Sequence, residues 1–212
     1  MHDRTVNGSR NRTLARRTNL MPNAFGERVL SVLKGNRLTR QQYVGLLGQL
    51  YHFSAAAQRH LRQVFNRIDD PALSRWFVQH AREENGHHRW AELDLRDLGE
   101  AIPPPLPATL RVIRRIGEIA GGPKPYLVLG ISRVAENLSP LLDPGALLPE
   151  GMNGATRYIK RHTLVDRRHA EAVNRQVSML PADRWAEVME EARRFEDLML
   201  EFLLAAAGMD GD

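Results

Sequence analysis

Apolar residues recur at three- and four-residue intervals along most of the chain, and no segment alternates convincingly at period two. The pattern predicts helices throughout. A short one over 24–34 ends at Gly35-Asn36. Thr39 caps a long one over 40–67, in which Leu46, Leu47, Leu50, Phe53, Leu61, Val64 and Phe65 share a face. Asp69-Asp70-Pro71 is a break followed by a start signal, and a helix over 71–98 stops at Gly99. Pro103-Pro104-Pro105 and Pro107 form a stiff linker. Helices over 107–119 and 124–142 flank Gly121-Gly122-Pro123, with Pro140 ending or kinking the second. A Pro/Gly-rich loop covers 143–154. One helix then spans 155–179, and Pro181-Ala182-Asp183 opens a last one that reaches 207. The expectation is an all-α chain, six or seven helices in one bundle, with no repeat of fixed period.

Composition narrows the chemistry. A chain of 212 residues suits one domain with a sizeable core, here residues 23–208. There is no cysteine, which excludes disulfides, thiolate metal sites, iron–sulfur clusters and a cysteine nucleophile. Any metal must be held by His, Asp and Glu. The net charge of +5 is concentrated at the N-terminus, where Arg4, Arg10, Arg12, Arg16 and Arg17 face Asp3 alone. Residues 1–22 are read as a basic, disordered tail. No nucleic-acid motif accompanies it. No run of about 18 apolar residues exists to cross a membrane, and no secretory h-region is present. A cytoplasmic location follows as the expectation.

Three segments carry ligand-capable side chains. In His162-x-x-x-Asp166-x-x-His169, the three residues fall within roughly 60° of one another at 100° per residue. In His80-x-x-Glu83-Glu84-Asn-Gly-His87-His88, Glu84 and His87 stand one turn apart, the spacing of carboxylate-bridged metal bundles. His80, Glu83 and His88 compete for the same role. Gly86 inside this helix costs about 1 kcal/mol relative to Ala, either to admit a close neighbour or as a tolerated defect. Glu136 lies in the otherwise apolar stretch Tyr126–Leu142, and a buried acid needs a partner. A metal is one candidate; Arg133, one turn back, is the other. Glu84, His87 and His162 would make one site, and Glu136, Asp166 and His169 a second beside it. Paired metals activate dioxygen when they are iron and water when they act as Lewis acids.

Glu-x-x-His, a lone Glu in an apolar helix, and His-x-x-x-Asp-x-x-His together resemble the haem-oxygenase-like diiron oxidase and oxygenase superfamily. Glu83-Glu84-Asn85-Gly86-His87, followed by Trp90, Leu93 and Asp97-Leu98-Gly99, is similar to that family's central helix. The likeness spans residues 40–205. It implies a single-domain, seven-helix, haem-oxygenase-like fold. It also implies two Fe(II) ions, the second labile, held by Glu84, His87, Glu136, His162, Asp166 and His169, with O2 as co-substrate. The substrate would be a small carboxylate, an amino acid or a fatty acid, undergoing N-oxygenation, desaturation or oxidative C–C cleavage in biosynthetic metabolism. An external electron donor and a homodimer fit the same picture; nucleic acid and membrane do not. Some members add a carboxylate from the preceding long helix, where this chain offers Gln58, His52 and His60 and no acid. A haem-dependent relative would need a proximal His within 24–34, and none is there. The alternatives are a cofactorless or haem-dependent oxidase of the same fold and a non-catalytic metal-binding or scaffold bundle. Tyr51, Tyr158, Arg133 and Arg161 are the candidates to orient a substrate carboxylate.

Overall fold

The computed structural model describes residues 25–29, 37–141, 148–149, 152 and 154–209. The basic tail and most of the 143–154 loop lie outside these residues, as does most of the expected helix over 24–34, of which 25–29 are helical. Among the described residues there are seven α-helices of nine residues or more and no strand. They are α1 (Arg40–Phe65), α2 (Pro71–Glu83), α3 (His88–Asp97), α4 (Pro107–Gly121), α5 (Val128–Leu138), α6 (Arg157–Met179) and α7 (Ala182–Ala206).

The start signals act as expected. Thr39 accepts from Gln42 N at 3.2 Å while the Gln42 side chain accepts from Thr39 N at 2.9 Å, a complete capping box. Asp70 accepts from the backbone of Ala72 and Leu73 ahead of Pro71. The proline linker is tied to α1 by one buried side chain. Gln49 accepts from Leu106 N and the Thr109 hydroxyl and donates to the Pro104 carbonyl, so extended backbone without a ladder is still satisfied.

Two helices differ from expectation. The span 71–98 is two helices, because residues 84–87 form a turn in which Gly86 takes φ +91°. A Cβ there would meet nothing within 4 Å, so the glycine serves backbone conformation and not close packing. The span 124–142 is a 3-10 turn at Pro125–Leu127, then α5, then a second 3-10 turn at Ser139–Leu141 over Pro140.

Helix α1 runs against α2, α3, α4 and α7; α5 packs on α6 and α7; and α3 packs on α6. Tyr43, Leu47, Phe77, Leu95, Leu129, Val173, Phe195 and Phe202 are fully buried between them. At Gly130 the α5 backbone comes so near α7 that a Cβ would stand 2.5 Å from the Val188 carbonyl and 3.0 Å from Ala192 N. Both obstacles are helix backbone, which cannot step aside. Gly130→Ala is therefore expected to cost about 1–3 kcal/mol through forced separation of the two helices. Thermal melting should register this as a drop of about 2–4 °C per kcal/mol for a domain of this size.

Candidate metal centre

Four segments converge on one end of the bundle. His80 comes from the last turn of α2, Glu84 and His87 from the glycine turn, Glu136 from α5, and His162, Asp166 and His169 from α6. Two local devices fix this convergence. The Asn85 side chain is bound to α1 by Gln58 and by Arg62 at 3.0 Å, which pins the turn. Asp94, wholly buried on α3, accepts from Tyr158 N at 2.8 Å and from Arg157 at 3.0 Å, which fixes the start of α6 beside α3. Gln58 thus holds the turn in place, and it leaves the long helix without a carboxylate to add.

The side chains form two groups. His80, Glu84, Glu136 and His169 offer one ligand atom each, all within 4.8 Å of one another; Glu84, His87 and His162 do the same. Glu84 belongs to both, one oxygen 3.0 Å from His169 Nδ1 and the other 3.0 Å from His87 Nδ1. Glu136 spans His80 Nε2 and His169 Nδ1, each at 3.3 Å. Its partners are therefore imidazoles; the alternative partner, Arg133, is buried and makes no ion pair with it. His162 donates Nδ1–H to the Tyr158 carbonyl at 3.1 Å, which leaves Nε2 with a lone pair for the centre.

The competing residues separate by geometry. Glu83 has a side chain 43% exposed and touches the outer nitrogen of His169, Nε2, at 3.2 Å. It supports a ligand from behind. His88 packs edge-on against Tyr51, away from both groups. His80 joins the group in which Asp166 was expected. Asp166 is buried beside them, in contact with Ser139, but its carboxylate belongs to neither converging set. The signal for His80 was present in the chain: His80-x-x-x-Glu84-x-x-His87 repeats the spacing of His162-x-x-x-Asp166-x-x-His169. Two tryptophans also belong to the site. Trp76 stacks on His80, centroids 4.8 Å apart, and Trp90 on His87 at 4.1 Å.

The electrostatics are those of ligands sharing protons. Burial alone would lower the His169 pKa, but its contacts with Glu136 and Glu84 raise it to about 10. Burial raises Asp166, and the charges of Glu136 and Glu84 raise it further, to about 9. Burial and Glu84 would raise Glu136, yet the imidazoles of His169 and His80 hold it below its ordinary value. Burial lowers His162. Despite the short contacts, Glu84 Oε1, His87 Nδ1, His169 Nδ1 and Asp166 Oδ1 make no hydrogen bond of acceptable geometry. Each such buried orphan costs about 1–3 kcal/mol. Lone pairs that converge without pointing at a proton fit a cation between them. Imidazole with carboxylate and no thiolate suits Fe, Mn or Zn.

A cavity of about 130 Å³ opens onto this centre. His80, Glu84, Glu136, His162 and Asp166 form one end, and aliphatic and aromatic residues of α1, α5 and α7, such as Leu50, Phe53, Ile131 and Phe202, form the rest. No lysine or arginine lines it among the described residues. Of the candidates to orient a carboxylate, only Tyr158 reaches the wall, its hydroxyl 2.6 Å from Ser54; Tyr51, Arg133 and Arg161 do not.

Compared with known proteins, no family profile and no curated protein sequence matches the chain. Solved structures do. A domain of unknown function with a haem oxygenase-like fold from Shewanella denitrificans superposes with a TM-score of 0.71 at 22% identity, over 94% of this chain and 89% of that one. A TenA homologue from Pyrococcus furiosus gives 0.68 at 12% identity, over 91% and 99%. The fold is haem-oxygenase-like, and within it the chain holds a His/Glu cluster able to bind metal. No helix among the described residues is long and apolar enough to cross a membrane.

The shared carboxylate makes the two groups unequal to mutation. Glu84→Ala should remove the metal equivalent of the three-ligand group and weaken binding at the other, which keeps His80, Glu136 and His169. His162→Ala should remove one of two metal equivalents and leave the other at full affinity. Elemental analysis and metal titration after ferrous or zinc loading measure both. Circular dichroism would confirm that both variants keep their helices. The pH response follows from the raised groups of the centre, His80, Asp166 and His169. Asp166 and His169 both hold protons more tightly in the fold than at their ordinary values of 3.8 and 6.5. Their contribution to stability is complete at low pH. It is lost as pH rises, for Asp166 through about 9 and for His169 through about 10. Metal-free protein should thus melt at progressively lower temperature from pH 6 to pH 10. Metal-loaded protein should lose less, because a cation held by His80, Glu84, Glu136 and His169 replaces the proton of His169.

Proposed function

We propose that the protein is a non-haem, dinuclear iron, O2-dependent oxidase or oxygenase acting on a small carboxylate with an apolar chain, a fatty acid and not a zwitterionic amino acid. The observation that carries this reading is a pair of His/carboxylate groups sharing Glu84 in the wall of a largely apolar cavity. Iron at these positions would supply dioxygen activation.

The protein's own side chains do the rest. His80, Glu136 and His169 would hold one ion, His87 and His162 the other, with Glu84 between them. Glu83 and the Tyr158 carbonyl fix the ring orientations of His169 and His162. Away from the candidate ligands the cavity wall is aliphatic and aromatic and aligns an apolar chain by contact; its ionisable groups, Glu84, Glu136, Asp166, His80 and His162, all belong to the candidate metal centre or stand beside it. A free amino acid would leave most of that apolar wall without a partner. A fatty acid buries only hydrocarbon, at about 0.8 kcal/mol per methylene. Its single carboxylate has the metal positions as its only cationic partner. The volume is close to that of an engineered cavity of about 150 Å³ known to take benzene, so it accommodates a chain segment and not a bulky ring system. Asp166, whose carboxyl is held above its ordinary pKa by burial and by the charges of Glu136 and Glu84, lines the cavity beside the ligands.

Ferrous loading without oxygen, followed by exposure to oxygen with fatty acids of graded length and with free amino acids, tests the proposal. Fatty acids should trigger a transient visible absorption band and oxygen uptake; amino acids should not. Metal uptake without substrate-dependent oxygen consumption would instead identify a non-catalytic metal-binding bundle. Turnover of metal-free protein would identify a cofactorless oxidase. Ala135, on the cavity wall next to Glu136, gives a sharper probe of the chain channel. Ala135→Leu adds three carbons to the wall. It should lower kcat/KM for long chains by about tenfold or more, at 1–3 kcal/mol per misplaced methylene, with the metal content unchanged.

A further inference from the structure

Helix α6 carries candidate ligands on one face and a different chemistry on the other. Leu164 is 72% exposed, the most exposed large apolar side chain among the described residues. Lys160, Arg161, Arg167 and Arg168, all exposed, stand one turn before and one turn after it on the same side. None of the four has an ion pair among the described residues, and Glu171, the exposed acid of this helix, pairs with none of them. Other cations do pair across the surface, Arg111 with Glu201, Arg115 with Glu191 and Lys124 with Glu187; the α6 face differs in setting four cations around one exposed leucine. An apolar centre ringed by unpaired positive charge gains nothing for the isolated chain. It does match a partner with an apolar spot ringed by carboxylates.

A second observation points inward from this face. The Arg161 guanidinium lies 5.3 Å over the ring of Trp90. The half-buried Trp90 ring stacks on His87 at 4.1 Å with an interplanar angle of 25°, and stands 5.4 Å from His162. One aromatic ring thus bridges the edge of the basic face and both imidazoles of the three-ligand group.

We propose that this face of α6 is the docking site for an acidic one-electron carrier protein, with Trp90 as the point where the electron enters. The docking surface stands on charge complementarity; the electron-carrying role rests on the iron reading above. In each encounter the carrier's reduced cofactor loses one electron and one ferric ion at the His87–His162 group gains it, so two encounters restore a diferrous centre. The patch is small, as transient redox encounters are, at less than about 1,200 Å² of buried surface. Steering by charge offsets the small area by raising the association rate, and it makes that rate sensitive to salt.

The test uses the full chain and a reduced acidic [2Fe–2S] ferredoxin as probe. Titration calorimetry on metal-free protein measures docking alone. Stopped-flow reduction of the ferric protein measures electron entry. Binding should weaken at least tenfold on raising salt from about 50 to 200 mM, as the Debye length shrinks. Lys160→Glu/Arg168→Glu should weaken it at least tenfold, Leu164→Glu similarly, while reduction by dithionite stays unchanged in both. Trp90→Leu should keep the affinity and slow reduction by ferredoxin. Equal affinity for the charge-reversed chain would overturn the docking face. So would tighter binding to phosphatidylglycerol vesicles than to ferredoxin. An unchanged reduction rate in Trp90→Leu, or selective binding of an acidic acyl-carrier protein in place of ferredoxin, would overturn the electron route. Docking with no iron uptake would leave the surface standing and remove the iron reading.

Discussion

Everything at this end of the bundle turns on the position of Glu84. It is an acid almost wholly enclosed by protein, and burial alone would drive it to the neutral form. The imidazoles of His169 and His87 hold it instead below its ordinary pKa. A carboxylate in that position is costly unless cations or protons surround it on both sides. The chain meets the demand with imidazoles on two sides, and those imidazoles are themselves buried and in need of a partner. The arrangement is therefore poorly solved by protons and well solved by a divalent ion on each side of one carboxylate. Metal affinity is written into the same burial that makes the metal-free site strained.

That position exists because the helix stops. In an unbroken helix Glu84 and His87 would both follow the α2 axis. With Gly86 in the left-handed region, the chain turns after Glu84 and restarts at His88, while Gln58 and Arg62 hold the turn through Asn85. Asp94 then ties the new helix to the start of α6, so the His87 and His162 rings meet edge to face at 4.9 Å. The fold supplies three rigid elements, and a single glycine conformation lets a fourth segment reach between them.

Much of this was legible in the residues. The Thr39 and Asp70-Pro71 starts, the glycine–proline break before α5 and the all-helical outline follow from local chemistry that tertiary packing did not override, and the haem-oxygenase-like fold follows from the resemblance of the three ligand motifs. Of the six candidate side chains, Glu84, His87, Glu136, His162 and His169 fall into the two converging groups, and Asp166 lies beside them outside both. What could not be read was the turn at 84–87, because helical periodicity runs on through it and the φ of one glycine leaves no trace in composition. The choice between Glu83 and Glu84 depended on that turn. Arg133 looked like a partner for Glu136 because both are on α5, but it is 1% exposed and makes no ion pair with Glu136, whose carboxylate meets His80 and His169. His80 was legible in principle, since its spacing to Glu84 and His87 copies that of the α6 motif.

The two copies of that spacing explain why the metal positions should differ. In α6 the helix is continuous, so His162 and His169 diverge along it, one to each group, and Asp166 between them is left facing the cavity end. In the α2–α3 copy the helix breaks after the acid, so Glu84 moves inward and bridges, while His80 and His87 again go one to each group. Glu136 is added to one side only. One position thereby has four protein ligands and the other three. With fewer protein ligands, the three-ligand group would hold a cation less tightly and leave more of its coordination to other molecules. It is also the group beneath Trp90 and the basic face of α6. An ion held there would be the one nearer that surface.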